Sequence, residues 1–508
     1  MRVSAAAFSL IVGVIAVSPA LAQRPAGHDT TSRETPMPVP REDSSVTEHT
    51  IRINGQVVPY RAMAATILLR NDKDEPIGSL YYTAYTRTDT RDPSRRPLTF
   101  VYNGGPGSSS VWLHMGAFGP RRVVTVDAAP TPPPPYQLVD NASSLIDVTD
   151  LVFIDPIGTG FSKPVGKGEG KDFWGVDEDA QSLEQFVSRY VSRNHRWNSP
   201  KYLLGESYGT TRSAVLVNRL QSNEGMAFNG VILVSSVLDF ETLRFAPGHD
   251  ISYVLYLPSY AATAAYHHMI PAPPDMKAFL TEVRQFAAGE YADALALGAR
   301  LPAARRATLL TRLSAYTGLS EGYLDKANLR VRLGQFMEEL ARSDSLTTGR
   351  LDSRFQGPMM DLLSETADYD PQSPAVTGAF TAAINTYLRD ELNYGGDQPY
   401  AVSGRVTWNW ARGRGGWSGA TYVGSDLARA MVTNPNLQIE IENGYYDMAT
   451  PFFATEYTVD HLDLPARLRQ NITLTYYEAG HMMYLHEAEL ARLKSNVAGF
   501  INRTSRTR

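Results

Sequence analysis

The sequence contains no cysteine. That absence excludes disulfides, thiolate-ligated metal sites, iron–sulfur clusters and a cysteine nucleophile together. An excess of charge is missing as well. The 48 basic and 53 acidic residues leave a net charge of −5, against the basic face expected of a nucleic-acid binder. After the first 22 residues, no stretch reaches the about 20 consecutive apolar residues that a membrane span needs. What is present is a chain of 508 residues, 43% apolar and 20% charged. That is the composition of a folded protein with a large core.

Residues 1–22 read as a secretory signal peptide. Arg2 supplies the positive start, Val3 to Val17 the apolar run, and Ala20-Leu21-Ala22 a small-x-small cleavage site before Gln23. The expectation is an exported chain, periplasmic or secreted, with no stable membrane insertion after cleavage. An exported protein without cysteine escapes disulfide exchange, which suits a bacterial periplasm. Residues 23–47, with Pro36, Pro38 and Pro40 close together, read as a flexible leader.

From residue 48 the pattern predicts antiparallel strands. Ile51 and Ile53 lead into Asn54-Gly55 and then Val57-Val58, a strong hairpin signal. Thr66 to Arg70 and Leu80 to Tyr85 read as two further strands. Nearly unbroken apolar runs follow at Leu98–Tyr102, Leu151–Ile154, Tyr202–Leu204 and Val231–Val234, then at Leu437–Ile441 and Ile472–Tyr476. Such runs suit parallel strands covered on both faces. Helix-periodic stretches alternate with them, as at 177–191 and after Tyr208, so the fold class is α/β. Residues 241–400 carry long helical stretches such as 276–297 and 303–315. The expected organisation is a core of 48–240 and 401–508 interrupted by a mainly helical insertion at 241–400.

The sharpest motif is Gly205-Glu206-Ser207-Tyr208-Gly209. It lies between an apolar run and a predicted helix, the setting that makes G-x-S-x-G a nucleophile elbow. Gly318-Leu319-Ser320-Glu321-Gly322 matches the same pattern but follows a polar helical stretch and reads as a helix boundary. A serine hydroxyl needs a base, and the base needs a carboxylate to orient it. Beyond the last two predicted strands stand Asp447 and, 34 residues later, His481, in the chain order Ser, Asp, His of the α/β-hydrolases. Glu442 is a rival acid and His486 a rival base. His267-His268, on a predicted helix of the insertion, lacks carboxylates at ligand spacing. Asn103-Gly104-Gly105-Pro106-Gly107 directly follows the strand 98–102. The backbone N–H groups of Gly105 and Tyr208 would supply an oxyanion hole.

Taken in order, these segments resemble the serine carboxypeptidases, the cathepsin A and yeast carboxypeptidase Y group. The matching runs are 103–110, Asp155-Pro156-Ile157-Gly158-Thr159-Gly160-Phe161-Ser162, 205–209, Gly444 to Pro451 and Ala479-Gly480-His481-Met482. The resemblance implies an α/β-hydrolase fold with a mostly parallel sheet, N-terminal antiparallel strands and a helical cap. It implies Ser207 as nucleophile, His481 as base, Asp447 as orienting acid, and Asn103 and Glu206 as ligands for a substrate's terminal carboxylate. A second glutamate of that recognition site falls at Ala117 here. Ser108 stands where many members have cysteine.

The expected function is therefore a serine carboxypeptidase-type hydrolase acting on peptides through an acyl-enzyme, with no metal or organic cofactor required and no nucleic-acid partner. An esterase or acyltransferase on the same scaffold is the nearer alternative, which Ala117 favours. A non-catalytic binding protein is the more distant one.

Overall fold

The computed structural model describes residues 37–412 and 420–505. The signal-peptide segment, and the leader as far as residue 36, lie outside the described residues. The remainder of the segment read as leader has defined backbone pairing. Met37 bridges Gly166, and the first strand, β1, runs Ser44–Ile53, starting before the expected boundary at 48.

One mixed sheet organises the chain. After β1 come β2 (Gln56–Arg70), β3 (Pro76–Arg87), β4 (Leu98–Tyr102), β5 (Asp150–Ile154), β6 (Lys201–Glu206), β7 (Gly230–Val234), β8 (Gln438–Gly444) and β9 (Ile472–Tyr477). Their order across the sheet is β1-β2-β3-β5-β4-β6-β7-β8-β9, with the short strand Lys163–Pro164 added beside β3. The first three strands and the β3–β5 pair are antiparallel. From β5 to β9 every pairing is parallel. Asn54-Gly55 forms the β1–β2 turn, both residues at positive φ, as the hairpin signal requires. β2 is one continuous strand through the segment that sequence reads as two pieces. Its first half alternates buried with exposed side chains, whereas its second half is almost wholly buried.

The parallel strands bury both faces. Val101, Leu204 and Ile232 pack on one side, and Phe100, Leu203 and Leu233 on the other. This is the physical reason for their unbroken apolar runs. The helices α1 (Val176–Arg193) and α2 (Tyr208–Asn223) pack on the second face, together with the later helix Gly424–Thr433. Between β7 and β8 the chain forms the helical segment, including α3 (Ile251–Tyr266) and α4 (Gln372–Thr386). Part of it builds its own apolar cluster around Tyr260 and Phe336, whose rings stack at 4.0 Å. Met448, from the loop after β8, is buried in that cluster, so insertion and sheet share packing. The final helix, α5 (Glu487–Thr504), returns to the first face.

One buried ion pair ties this frame to the active edge. Arg212 of α2 is fully buried and donates to Asp179 of α1 at 2.7 Å. Its guanidinium also donates to the Asn103 carbonyl at 2.5 Å. Removing one partner leaves a charge stranded in the core, which costs about 3–5 kcal/mol. Asp179→Ala is expected to lower the unfolding free energy by about that amount in urea denaturation.

Candidate active site

Four loops leave the carboxyl ends of parallel strands and meet at one edge of the sheet, where α/β folds place their sites. They carry Asn103 after β4, Ser207 after β6, Asp447 after β8 and His481 after β9. Ser207 sits at φ 59° and ψ −129°, with α2 starting at the next residue. A serine seldom adopts this conformation, and it persists only where the surroundings impose it. They do so here by close packing. A Cβ on Gly205 would lie 2.2 Å from the Gly209 carbonyl, and one on Gly104 only 2.4 Å from the Tyr208 nitrogen. The 103–107 turn therefore lies directly against the elbow. The N–H groups of Gly105 and Tyr208 have no acceptor among the described residues.

Asp447 and His481 form a buried polar pair at this edge. His481 Nδ1 and Asp447 Oδ2 are 2.8 Å apart, and both side chains are buried. The carboxylate is otherwise satisfied locally. Its Oδ1 accepts from the Ala449 and Thr450 N–H groups at 2.8 and 2.9 Å, and its Oδ2 accepts from the Thr450 hydroxyl at 2.7 Å. Burial alone pushes the His481 imidazole toward its neutral form, but the charge and hydrogen bond of Asp447 outweigh it and raise the pKa. With Nδ1 engaged by the carboxylate, Nε2 is the nitrogen available to a proton.

The His481 backbone is held from both sides. Ser235, itself at φ 51°, donates its hydroxyl to the His481 carbonyl at 2.7 Å. From the insertion, the Leu351 carbonyl accepts the His481 N–H at 2.7 Å, and Asp352 accepts the Gly480 N–H at 3.2 Å. The same segment reaches the aspartate loop, where Met448 N–H donates to the Arg350 carbonyl and Ser353 N–H to the Tyr446 carbonyl, both at 3.0 Å. Residues 350–353 thus clamp both loops together.

A cavity of about 180 Å³ opens at this edge, lined by Gly105, Glu206, Ser207, His481, Arg350 and Trp112 among others. Ser207 and His481 face it together. Ser207 is half-buried, and its hydroxyl makes no hydrogen bond within the described residues. Such contacts are often long before substrate binds. Asn103 is buried beside the cavity, donating through Nδ2 to Glu206 Oε1 at 2.9 Å and accepting from the Leu113 N–H at 3.1 Å. Burial pushes Glu206 up to about 7, although His481, Tyr484 and Asn103 all favour its charge. Its second oxygen is buried and has no hydrogen-bond partner among the described residues. The Tyr484 phenol stands close enough to act on its charge. Ala117 lies buried in the wide helical turn Leu113–Phe118 and contributes no side-chain polar group.

The rival residues go elsewhere. Glu442 is buried against the Tyr477 hydroxyl at 2.8 Å. His486 immediately precedes α5 and lies 3.5 Å from Asp127. His267 bonds the Ser353 carbonyl at 2.7 Å, and no cluster of metal-ligating side chains occurs among the described residues. Ser320 caps the short helix Glu321–Lys326. Sequence reasoning missed Thr450, Ser235, Arg350, Tyr484 and the 350–353 clamp. Of these, only Thr450 had a local signal, three residues after the aspartate whose side chain it bonds.

The mostly parallel sheet with its antiparallel first strands, the flanking helices and the strained serine turn define an α/β-hydrolase fold. Residues 69–243 match the family model described as serine carboxypeptidase. The chain is 35% identical over 156 residues to the pheromone-processing carboxypeptidase KEX1 of Saccharomyces cerevisiae, a match covering 28% of this chain and 20% of that protein. It is 29% identical over 170 residues to P-(S)-hydroxymandelonitrile lyase of Sorghum bicolor, covering 32% and 31% of the two chains. These sequence matches span at most about a third of either relative's length. The crystal structure of Kex1(delta)p, a prohormone-processing carboxypeptidase from Saccharomyces cerevisiae, superposes with a TM-score of 0.51 at 16% identity. That match covers 87% of this chain and 91% of the other, a likeness of fold.

The raised His481 pKa depends on the Asp447 charge. In Asp447→Asn, the imidazole is expected to titrate at lower pH than in wild type, as followed by NMR of its ring protons.

Proposed function

We propose that the protein is a serine carboxypeptidase-type hydrolase that cleaves peptides through an acyl-enzyme on Ser207. The observation that carries this reading is the buried 2.8 Å Asp447–His481 pair opening onto the cavity that Ser207 lines. In this mechanism His481 Nε2 takes the hydroxyl proton as Ser207 Oγ attacks the scissile carbonyl carbon. The carbonyl oxygen becomes an oxyanion and accepts from the Gly105 and Tyr208 N–H groups. Its collapse breaks the C–N bond, and His481 hands its proton to the departing amine. Water, deprotonated by the same imidazole, then releases the acid and restores Ser207. Asp447 keeps Nδ1 protonated and stabilises the imidazolium without accepting its proton.

Asn103 and Glu206 are read as polar ligands for the carboxyl end of the peptide, which makes release of C-terminal residues the preferred outcome. Ala117 favours a second reading, an esterase or acyltransferase with the same triad, because it cannot supply the second carboxyl the resemblance calls for. We read 241–400 as a cap over the core 48–240 and 401–508, and the chain as exported through residues 1–22. No helix among the described residues is long and apolar enough to cross a membrane.

Mass-spectrometric identification of products from blocked dipeptides, offered as free acids and as C-terminal amides, tests the reading. Release of the C-terminal amino acid, abolished by Ser207→Ala, is expected, and hydrolysis confined to esters would contradict it. The same assay across pH carries a second expectation. Glu206 is neutral below about 7 and ionised above it, and its charge opposes a substrate carboxylate. KM for free-acid peptides is therefore expected to rise as pH climbs through about 7, and Glu206→Gln to flatten that rise.

A further inference from the structure

Arg350 is the one unexplained charge in the cavity. It is exposed at the rim and lines the same space as Ser207, Glu206 and His481. Its backbone carbonyl is engaged by Met448, which anchors the residue in the clamp. Its guanidinium makes no ion pair or hydrogen bond among the described residues. Asp370 feels its charge. That carboxylate, however, is taken up by the N–H groups of Leu351 at 2.9 Å and Gln372 at 3.2 Å. The remaining ionisable groups at this edge are accounted for. Asp447 is closed off by His481 and Thr450, and one Glu206 oxygen is held by Asn103. Tyr484 is fully buried and carries no charge at neutral pH. A guanidinium presents several N–H donors in one plane, a shape that fits a carboxylate bidentately.

We propose that Arg350 is a further carboxylate-binding residue of this cavity, beside Asn103 and Glu206, and selects substrates that present a carboxylate near the scissile bond. The inference rests on reading the cavity as the acyl-transfer site. It assigns to the segment between β7 and β8 a guanidinium that the sheet loops do not contribute to the cavity. The carboxylate has two sources, the free C-terminus of a peptide or an acidic side chain.

Binding to Ser207→Ala protein separates this proposal from turnover. Calorimetry would compare N-acetyl-Phe-Leu with its C-terminal amide, and N-acetyl-Glu-Leu-amide with N-acetyl-Gln-Leu-amide, at pH 6. A charge-assisted bidentate contact predicts a preference for the carboxylate member of at least one pair by about tenfold. Adding Arg350→Gln is expected to remove that preference, while Arg350→Lys retains part of it. Retained affinity for the neutral ligands shows that the variant is folded. Preference in the first pair identifies the C-terminus, and preference in the second an acidic side chain. A parent protein that binds neither pair, or discriminates within neither, overturns the proposal, as does a preference that survives Arg350→Gln. Absence of turnover in wild type, with Arg350-dependent binding intact, counts against the hydrolase reading alone.

Discussion

The buried hydrogen bond between Asp447 and His481 is the constraint on which the rest of the site depends. A carboxylate without solvent is costly unless its oxygens are hydrogen-bonded. The loop after β8 meets that requirement with two backbone N–H groups, the Thr450 hydroxyl and the imidazole. The arrangement fixes which histidine nitrogen faces the cavity and biases the ring toward accepting a proton. Both loops must then keep one relative position. The link is external to them, in the backbone contacts of residues 350–353 to Met448, Tyr446, Gly480 and His481. Residues 350–353 thus act as a structural member of the site.

The sheet supplies the other half of the geometry. Parallel pairing from β5 to β9 brings the ends of β4, β6, β8 and β9 to one edge, although Ser207 and Asp447 are far apart in the chain. Close approach finishes the work that topology begins. Gly104 lets the 103–107 turn touch the elbow, and Gly205 lets the elbow fold tightly onto its own helix start. Arg212 reaches from beneath to the Asn103 carbonyl, so the turn carrying Gly105 is tied to the helices that support the elbow.

Much of this was legible in the sequence because the signals were local. Unbroken apolar runs marked strands that pack on both faces. The glycines around Ser207 fell between a strand and a helix, while those around Ser320 followed a helix, and that context separated the two. Asp447 and His481 were legible from their places just after the last two strands. Other features were not legible because they arise from contacts between distant segments. Arg350 sits in an irregular stretch with no motif around it, and only folding brings it to the serine. Ser235 and Tyr484 look like ordinary polar and aromatic residues until the loops converge. The start of β1 at Ser44 was hidden by the polar composition of its exposed edge, where alternate side chains face solvent.

The most direct measurement of the central claim is a crystal structure of the protein reacted with a peptidyl phosphonate. The account predicts a covalent bond from phosphorus to Ser207 Oγ. A phosphoryl oxygen should lie within hydrogen-bond reach of the Gly105 and Tyr208 N–H groups, with His481 Nε2 facing the remaining oxygen and Nδ1 still on Asp447. An adduct on another residue, or one on Ser207 with the imidazole turned away from it, would contradict the account.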